Sequence, residues 1–181
     1  MRWMWIDAIT VYEHGERLVA VKNVSLAEEH LHDHFEADES HPAHPVMPGC
    51  LLLEGMAQSG GVLVGAFHGF REKVVLAKVA KAELDEDVEP GQCVRYDVRI
   101  VRMDDAGSST SGVIERLDHR DGKWREIGRV DLIFSLLDHN RAGTEFPEEN
   151  FVFGENFRTI LQASGLAYLA DEDAVGQPAS P

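Results

Sequence analysis

The spacing of hydrophobic and polar positions changes character several times along the chain. Residues 5–12 are rich in β-branched and aromatic side chains, Glu13-His14-Gly15-Glu16 makes a polar turn, and residues 18–24 return, which predicts two short strands. Residues 26–48 carry five histidines and three prolines among polar neighbours, a composition that predicts a long loop and no regular helix. Long ordered loops inside a compact domain are usually functional. From residue 50 to 67 the chain is almost unbroken apolar. That run is too long for a strand and predicts a helix buried on most sides. Its glycines, Gly55, Gly60, Gly61 and Gly65, lower helix propensity but allow neighbouring elements to approach closely.

Beyond residue 72 the pattern becomes that of strands, over 74–79, 92–101, 109–117 and 126–137. The last two are joined by His119-Arg120-Asp121-Gly122, whose Asp-Gly pair is a hairpin signal. Two strands, one buried helix and then consecutive long strands predict an α+β fold in which an antiparallel sheet packs around a helix. The expected division is one domain over residues 1–140 and a C-terminal extension over 141–181 that the core does not need. The extension has seven acidic and two basic residues, a short amphipathic helix expected within 157–169, and an end expected to fray.

The length of 181 residues suits one domain, and 44% hydrophobic with 27% charged residues is a globular composition. A net charge of −15, from 17 basic and 32 acidic residues, argues against nucleic acid or an anionic membrane as partner. Cys50 and Cys93 are too few for a disulfide scaffold or a four-cysteine zinc site. The N-terminus lacks the apolar core of a signal peptide, and no run reaches the roughly 18 apolar residues of a membrane span. The expected location is the cytoplasm.

Glu54 is the informative residue, because it stands among Leu51, Leu52, Leu53, Met56 and Ala57 on the buried helix. An ionised carboxylate is costly to bury, and dry surroundings are how enzymes keep a carboxylic acid protonated near neutral pH. The alternative is a carboxylate that escapes to the helix surface. Gln58 lies at i+4 on the same face and can hydrogen-bond it. His30, His32 and His34 alternate in a way that invites a metal reading. Further ligands would have to come from His119 or His139 in unrelated surroundings, so no metal is expected.

The stretch His34-Phe35 followed by Pro42-Ala43-His44-Pro45-Val46-Met47-Pro48-Gly49-Cys50-Leu51-Leu52-Leu53-Glu54-Gly55-Met56-Ala57-Gln58 resembles a known signature. It is that of the (3R)-3-hydroxyacyl-acyl carrier protein dehydratases, the FabZ/FabA-type hotdog enzymes of bacterial fatty acid synthesis, whose pattern runs HFPxxPxMPGxLxxE(D)xMAQ. Val21-Lys22-Asn23-Val24-Ser25 and Ile6-Asp7 are similar to the same family, and the resemblance spans about residues 3–138. Glu54 in place of Asp, with Met56-Ala57-Gln58 after it, points to the FabZ branch. One departure matters. The family's proline follows its Phe directly, whereas here Glu36-Ala37-Asp38-Glu39-Ser40-His41 intervenes before Pro42. The family places its histidine about as far beyond the Asn-Val-Ser as the eight residues Leu26 to Asp33 place His34, which also keeps its Phe35 partner. His34 is therefore the expected base and His41 the alternative.

The resemblance implies a hotdog fold, a curved antiparallel sheet wrapped around the central helix. It also implies dehydration of a 3-hydroxyacyl thioester to a trans-2-enoyl thioester without a cofactor. His34 would take the C2 proton. A protonated Glu54 from the partner protomer would act on the C3 hydroxyl. The free amides near Gly49 and Cys50 would receive the enolate charge, and Gln58 and Phe35 would support the site. The Cys50 side chain itself is read as a small residue beside the pocket rather than as a nucleophile. The implied assembly is a homodimer joined edge to edge, with trimers of dimers known in the family. The implied partner is an acyl carrier protein bearing the acyl chain, or acyl-coenzyme A. A carrier is acidic, so Arg71, Lys73, Lys78 and Lys81 are the candidate docking patch. Rival readings are a hotdog thioesterase and a non-catalytic acyl-binding hotdog.

Overall fold

A computed structural model of the chain describes residues 4–105, 107–137 and 152–170. Its elements, in chain order, are β1 (Ala8–Glu13), β2 (Arg17–Asn23), α1 (His30–Asp33), α2 (Gly49–Phe67), β3 (Lys73–Leu84), β4 (Gln92–Asp104), β5 (Gly107–Asp118), β6 (Lys123–Leu137) and α3 (Glu155–Ala163). A single 3₁₀ turn at Ala167–Ala170 follows α3. The six strands form one antiparallel sheet in the order β1-β2-β4-β5-β6-β3.

Helix α2 packs against β2, β3, β4, β5 and β6. Five strands laid flat would span about 19 Å between their outer axes, whereas a helix with its side chains is only about 10–12 Å across. The sheet therefore curls around the helix, and the molecule is a hotdog fold. Bulges between Leu76 and Lys78, Val79 and Lys81, and Ile100 and Arg102 supply local bends. By length and composition α2 would suffice to cross a bilayer, but here most of it is buried within the sheet.

The strands facing α2 alternate as a half-buried sheet should. Val94, Tyr96 and Val98 point inward from β4, and Val130, Leu132 and Phe134 from β6. On β5 the inward row begins with the small residues Ser108, Thr110 and Gly112, which leaves room for the helix. The helix gives way in turn at Gly55. A Cβ there would lie 2.3 Å from the Tyr96 hydroxyl oxygen. Tyr96 is fully buried, and burial pushes its hydroxyl pKa up. The glycine thus sets how deep the helix sits one residue from Glu54.

Several boundaries differ from the sequence reading. The first strand begins at Ala8 rather than residue 5, because the buried Trp5 gives its amide to a side chain on α2 and not to the sheet. The long loop contains one helical turn, α1, held by Leu31, which is 2% exposed. Strand β3 runs on to Leu84. Its register with β6 is maintained although every residue from Leu76 to Leu84 is exposed, so charge concealed its second half. The C-terminal helix α3 falls at Glu155–Ala163 and carries Phe157, Ile160 and Leu161 into the main core.

The two outer strands are treated differently. On β1 the Ile9 amide donates to the Ser164 hydroxyl at 2.9 Å, and α3 packs against the strand. On β3 the side away from β6 is bare among the described residues, with Leu76, Val79 and Leu84 exposed. Between β2 and β4, the Arg17 guanidinium donates two hydrogen bonds to the Asp97 carboxylate at 2.8 and 2.7 Å.

Gly55→Ala will lower stability by about 1–3 kcal/mol in urea titration, because overpacking against a fully buried ring outweighs the roughly 1 kcal/mol gained in helix propensity. The hydrogen bond from Arg17 holds the Asp97 carboxyl below its ordinary value. The pair's contribution is therefore complete above the ordinary carboxylate range near pH 4 and is lost as acid protonates Asp97. Asp97→Asn will accordingly melt several degrees below the native chain at pH 7, and the gap will close below about pH 4. A gap that persists in acid would show that the ion pair is not its source.

Candidate active site

The site is assembled around α2. Glu54 and Gln58 lie one turn apart, and both line a cavity of about 120 Å³ whose other walls include Ala57, Val62, Val74 and Phe134. The carboxylate has not escaped to open surface. The Trp5 amide donates to Gln58 Oε1 at 2.8 Å, and Gln58 Nε2 donates to Glu54 Oε1 at 2.9 Å. A backbone N–H can only donate, so it fixes the oxygen end of the Gln58 amide and turns the NH₂ end toward Glu54. One carboxyl oxygen is thus held by a donor inside an otherwise apolar cavity. Gln58 is only 7% exposed, which makes this alignment rigid.

His34 directly follows α1, as its C-cap residue at the start of the loop. Its Nδ1 is 2.8 Å from the Val46 carbonyl oxygen. A carbonyl only accepts, so Nδ1 carries the hydrogen, and in the neutral ring the lone pair is on Nε2. The Phe35 ring stacks on the imidazole at 4.3 Å between centroids, and the His34–Phe35 peptide is cis. The residues that interrupt the sequence pattern fold back on themselves. The Phe35 and His44 amides exchange hydrogen bonds with each other's carbonyls at 3.3 and 3.0 Å, and the Val46 amide returns to the His34 carbonyl at 3.2 Å. His41 belongs to the exposed tip. Asp38 accepts the Ser40 and His41 amides and lies 3.2 Å from the His41 ring, and the two amides hold its carboxyl below the ordinary range. His34 is absent from the residues lining the Glu54 cavity of its own protomer.

The three alternating histidines part company. His30 packs edge-on to Trp5 and lies near Glu28, His32 is exposed, and His34 turns to Val46. Glu28 also pairs with the buried Lys22 at the start of the loop.

At the start of α2 the Leu51 amide donates to the Pro48 carbonyl at 2.8 Å. The amides of Gly49 and Cys50 come before it and have no intrahelical acceptor to reach. Gly49 borders an open groove with His44, Leu84 and acidic side chains including Asp85 and Glu86, distinct from the apolar cavity at Glu54. Cys50 is exposed, whereas burial raises the pKa of Cys93. The four basic residues are not gathered into one patch. Arg71 is exposed before β3, Lys73 is buried in the sheet, and Lys78 and Lys81 lie on the exposed part of β3. Lys73 and Lys81 are strung over about 26 Å of strand, and Lys81 already pairs with Glu83.

Two parts of the cavity were not foreseen from the sequence. One is Met4, next to the Trp5 amide that binds Gln58. The other is the aromatic wall Phe153 and Phe157 from the C-terminal extension. Phe157 fell within the expected amphipathic helix, whereas Phe153 lies before α3 and no sequence pattern marked it.

Comparison with known proteins places residues 2–123 in agreement with the FabA-like domain. Among relatives, the 3-hydroxyacyl-acyl-carrier-protein dehydratase FabZ of Symbiobacterium thermophilum is 39% identical over 102 residues, 56% of this chain and 68% of that protein. The protein of the same name from Oceanobacillus iheyensis is 35% identical over 102 residues, 56% of this chain and 69% of its own. That of Clostridium kluyveri is 31% identical over 142 residues, 76% and 88% of the two chains. Among solved structures, a thioesterase family protein from Silicibacter pomeroyi superposes with a TM-score of 0.55 at 14% identity, covering 71% of this chain and 82% of that one. An acyl-CoA hydrolase from Agrobacterium tumefaciens gives 0.52 at 16% identity, with 67% and 43% covered. At such identities these structures bear on the fold alone.

Gln58→Met keeps the side-chain length but takes a hydrogen bond from both the Trp5 amide and Glu54. Stability will fall by about 1–3 kcal/mol, the usual cost of depriving buried polar groups of a partner. Chemical denaturation will measure it, and an unchanged midpoint would show that the Trp5–Gln58–Glu54 chain is not structurally coupled.

Proposed function

Because the chain belongs to the FabA-like domain family, we propose that it dehydrates (3R)-3-hydroxyacyl thioesters to trans-2-enoyl thioesters in the cytoplasm. The observation that carries this reading is the placement of Glu54, a lone carboxyl on the wall of an apolar cavity with one oxygen held by Gln58.

The chemistry follows from the groups. His34 Nε2, the lone-pair nitrogen of the neutral ring, removes the C2 proton. The electron pair of that bond passes through the thioester enolate into the new C2=C3 double bond, and the C3–O bond breaks. Glu54, entering as the carboxylic acid, gives its proton to the departing hydroxyl, which leaves as water. The negative charge gathering on the thioester oxygen meets the amides of Gly49 and Cys50, which also lie at the positive end of a long helix. The Phe35 stack and the bond to Val46 hold the imidazole in one orientation.

The reading requires two protomers. His34 does not reach the cavity of its own Glu54, and β3 offers an exposed, partly apolar edge for antiparallel pairing. We assign the working unit to a homodimer joined along β3, in which each site takes His34 from one protomer and Glu54 from the other. The substrate is carried on acyl carrier protein or coenzyme A, and the exposed Arg71, which lies off the β3 edge, is the basic residue offered to an acidic carrier.

His34→Ala will reduce kcat by a factor of about 10²–10⁴, the usual contribution of a positioned base. Glu54→Gln will be as damaging while leaving the oligomer intact, since the amide keeps the shape but cannot deliver the proton. His41→Ala will stay within a few-fold of the native enzyme. Enoyl absorbance and free thiol will be followed together on a 3-hydroxyacyl-pantetheine. Thiol release without enoyl product would replace the dehydratase with a thioesterase, and a reversed ranking of the two histidines would move the base to His41.

A further inference from the structure

The match to the FabA-like domain ends at residue 123, yet Val152, Phe153 and Phe157 line the cavity that holds Glu54. This wall is firmly built. The rings of Phe153 and Phe157 meet at 4.9 Å, and both meet Phe70, at 4.7 and 5.0 Å. Phe70 is set in place by the turn that ends α2, where its amide donates to the Gly65 carbonyl at 2.8 Å and its φ is +54°. Gly65 leaves the space the rings need, since a Cβ there would lie 2.4 Å from the Phe153 ring and 2.9 Å from that of Phe70. Behind the wall, Phe157 and Leu161 are buried, and Ser164 takes the Ile9 amide.

The cavity follows α2 from Glu54 to Val62, about 12 Å of helix rise. The Gly65 face, where Phe153 rests, comes one turn later. We propose that this C-terminal segment is the end wall of the acyl pocket and that Phe153 limits the enzyme to short acyl chains. The proposal rests on the reading of Glu54 as the acid that acts at C3. The cavity is about 120 Å³. An apolar cavity of roughly 150 Å³ takes one benzene-sized guest. Room beyond C3 is therefore for about five carbons, an acyl chain of about eight, and a longer tail runs into the Phe153 ring. An alkyl chain excluded from its pocket typically loses tenfold or more for each methylene left without space.

The test uses the full-length chain and two ligand series, from four to twelve acyl carbons. The 3-hydroxyacyl-pantetheines report turnover, and the saturated acyl-pantetheines, which cannot be dehydrated, report binding by calorimetry. Turnover and binding are expected to hold to about eight carbons and to fall at least about tenfold by twelve. Phe153→Ala is expected to raise the twelve-to-six-carbon ratio by at least about tenfold in both series, and Phe153→Leu to do so by a smaller factor. The leucine variant retains an apolar filler should the alanine variant fold poorly. Equal handling of eight and twelve carbons by the native chain would overturn the wall, as would a Phe153 effect that is the same at every length. Turnover without a length limit would remove the wall and keep the reaction. A length limit in binding without any turnover would keep the wall and remove the reaction. No binding at any length would remove both.

Discussion

An apolar helix of nineteen residues has to be enclosed on nearly every side, and a single sheet can do this only by curling around it. The demands that follow are visible on both partners. Small residues line the inner face of β5, and glycines on α2 stand where rings come closest, Tyr96 at Gly55 and Phe134 at Gly60. The glycines cost helix propensity, about 1 kcal/mol each. That loss is offset by the close packing of large aromatic rings, each worth more than that when fully buried. The depth of the helix is thereby fixed at its N-terminal half, where a single turn must present a carboxyl group to a cavity.

A polar group within such a core needs a partner, and here the partner comes from the N-terminus. The Trp5 amide takes the oxygen end of the Gln58 side chain, so that the NH₂ end faces the Glu54 carboxyl group. The same economy of local bonds governs the histidine loop. The Phe35–His44 amide pair closes the neck of the inserted residues, so Val46 can still reach back to His34. Lengthening a loop costs little in closure entropy, about 0.6 kcal/mol per doubling, provided its ends are pinned as these are. The inserted residues therefore project into solvent with His41 and three acids, while Val46 bonds to His34 beneath them.

Much of this was legible in the residues. The buried helix declared itself by length and apolar content, and the strand pairs by their turns, as at Asp121-Gly122, where Gly122 has φ +68°. Glu54 and Gln58 were readable as a pair because helical spacing alone brings i and i+4 together. Three things were not. The second half of β3 is charged and exposed, so no burial pattern marked it, and only pairing with β6 defines it as strand. Lys73 has the charge of a surface-cluster member, but it is buried at the start of β3, which charge spacing cannot reveal. The contribution of Phe153 and Phe157 to the cavity depends on a contact with α2 nearly ninety residues earlier in the chain. The amphipathic pattern of α3 announced that the helix has a buried face without saying where it docks.

The C-terminal segment also bears on how two protomers meet. An open sheet has two edges, and an exposed edge is a template for pairing with another chain. Here α3 and Ser164 close the β1 edge. Among the described residues that leaves β3 as the side on which the backbone can accept a partner strand. The proposed dimer then has one geometry open to it rather than two, and that geometry sets β3 of one copy beside β3 of the other, next to the helix that carries Glu54. Charged residues such as Lys78, Lys81 and Glu83 along β3 oppose indiscriminate stacking, while Leu76, Val79 and Leu84 among them provide apolar contact. In the proposed dimer a segment beyond the FabA-like match would thus do two things at once: wall one end of the pocket, and, by covering the β1 edge, leave β3 for the pairing.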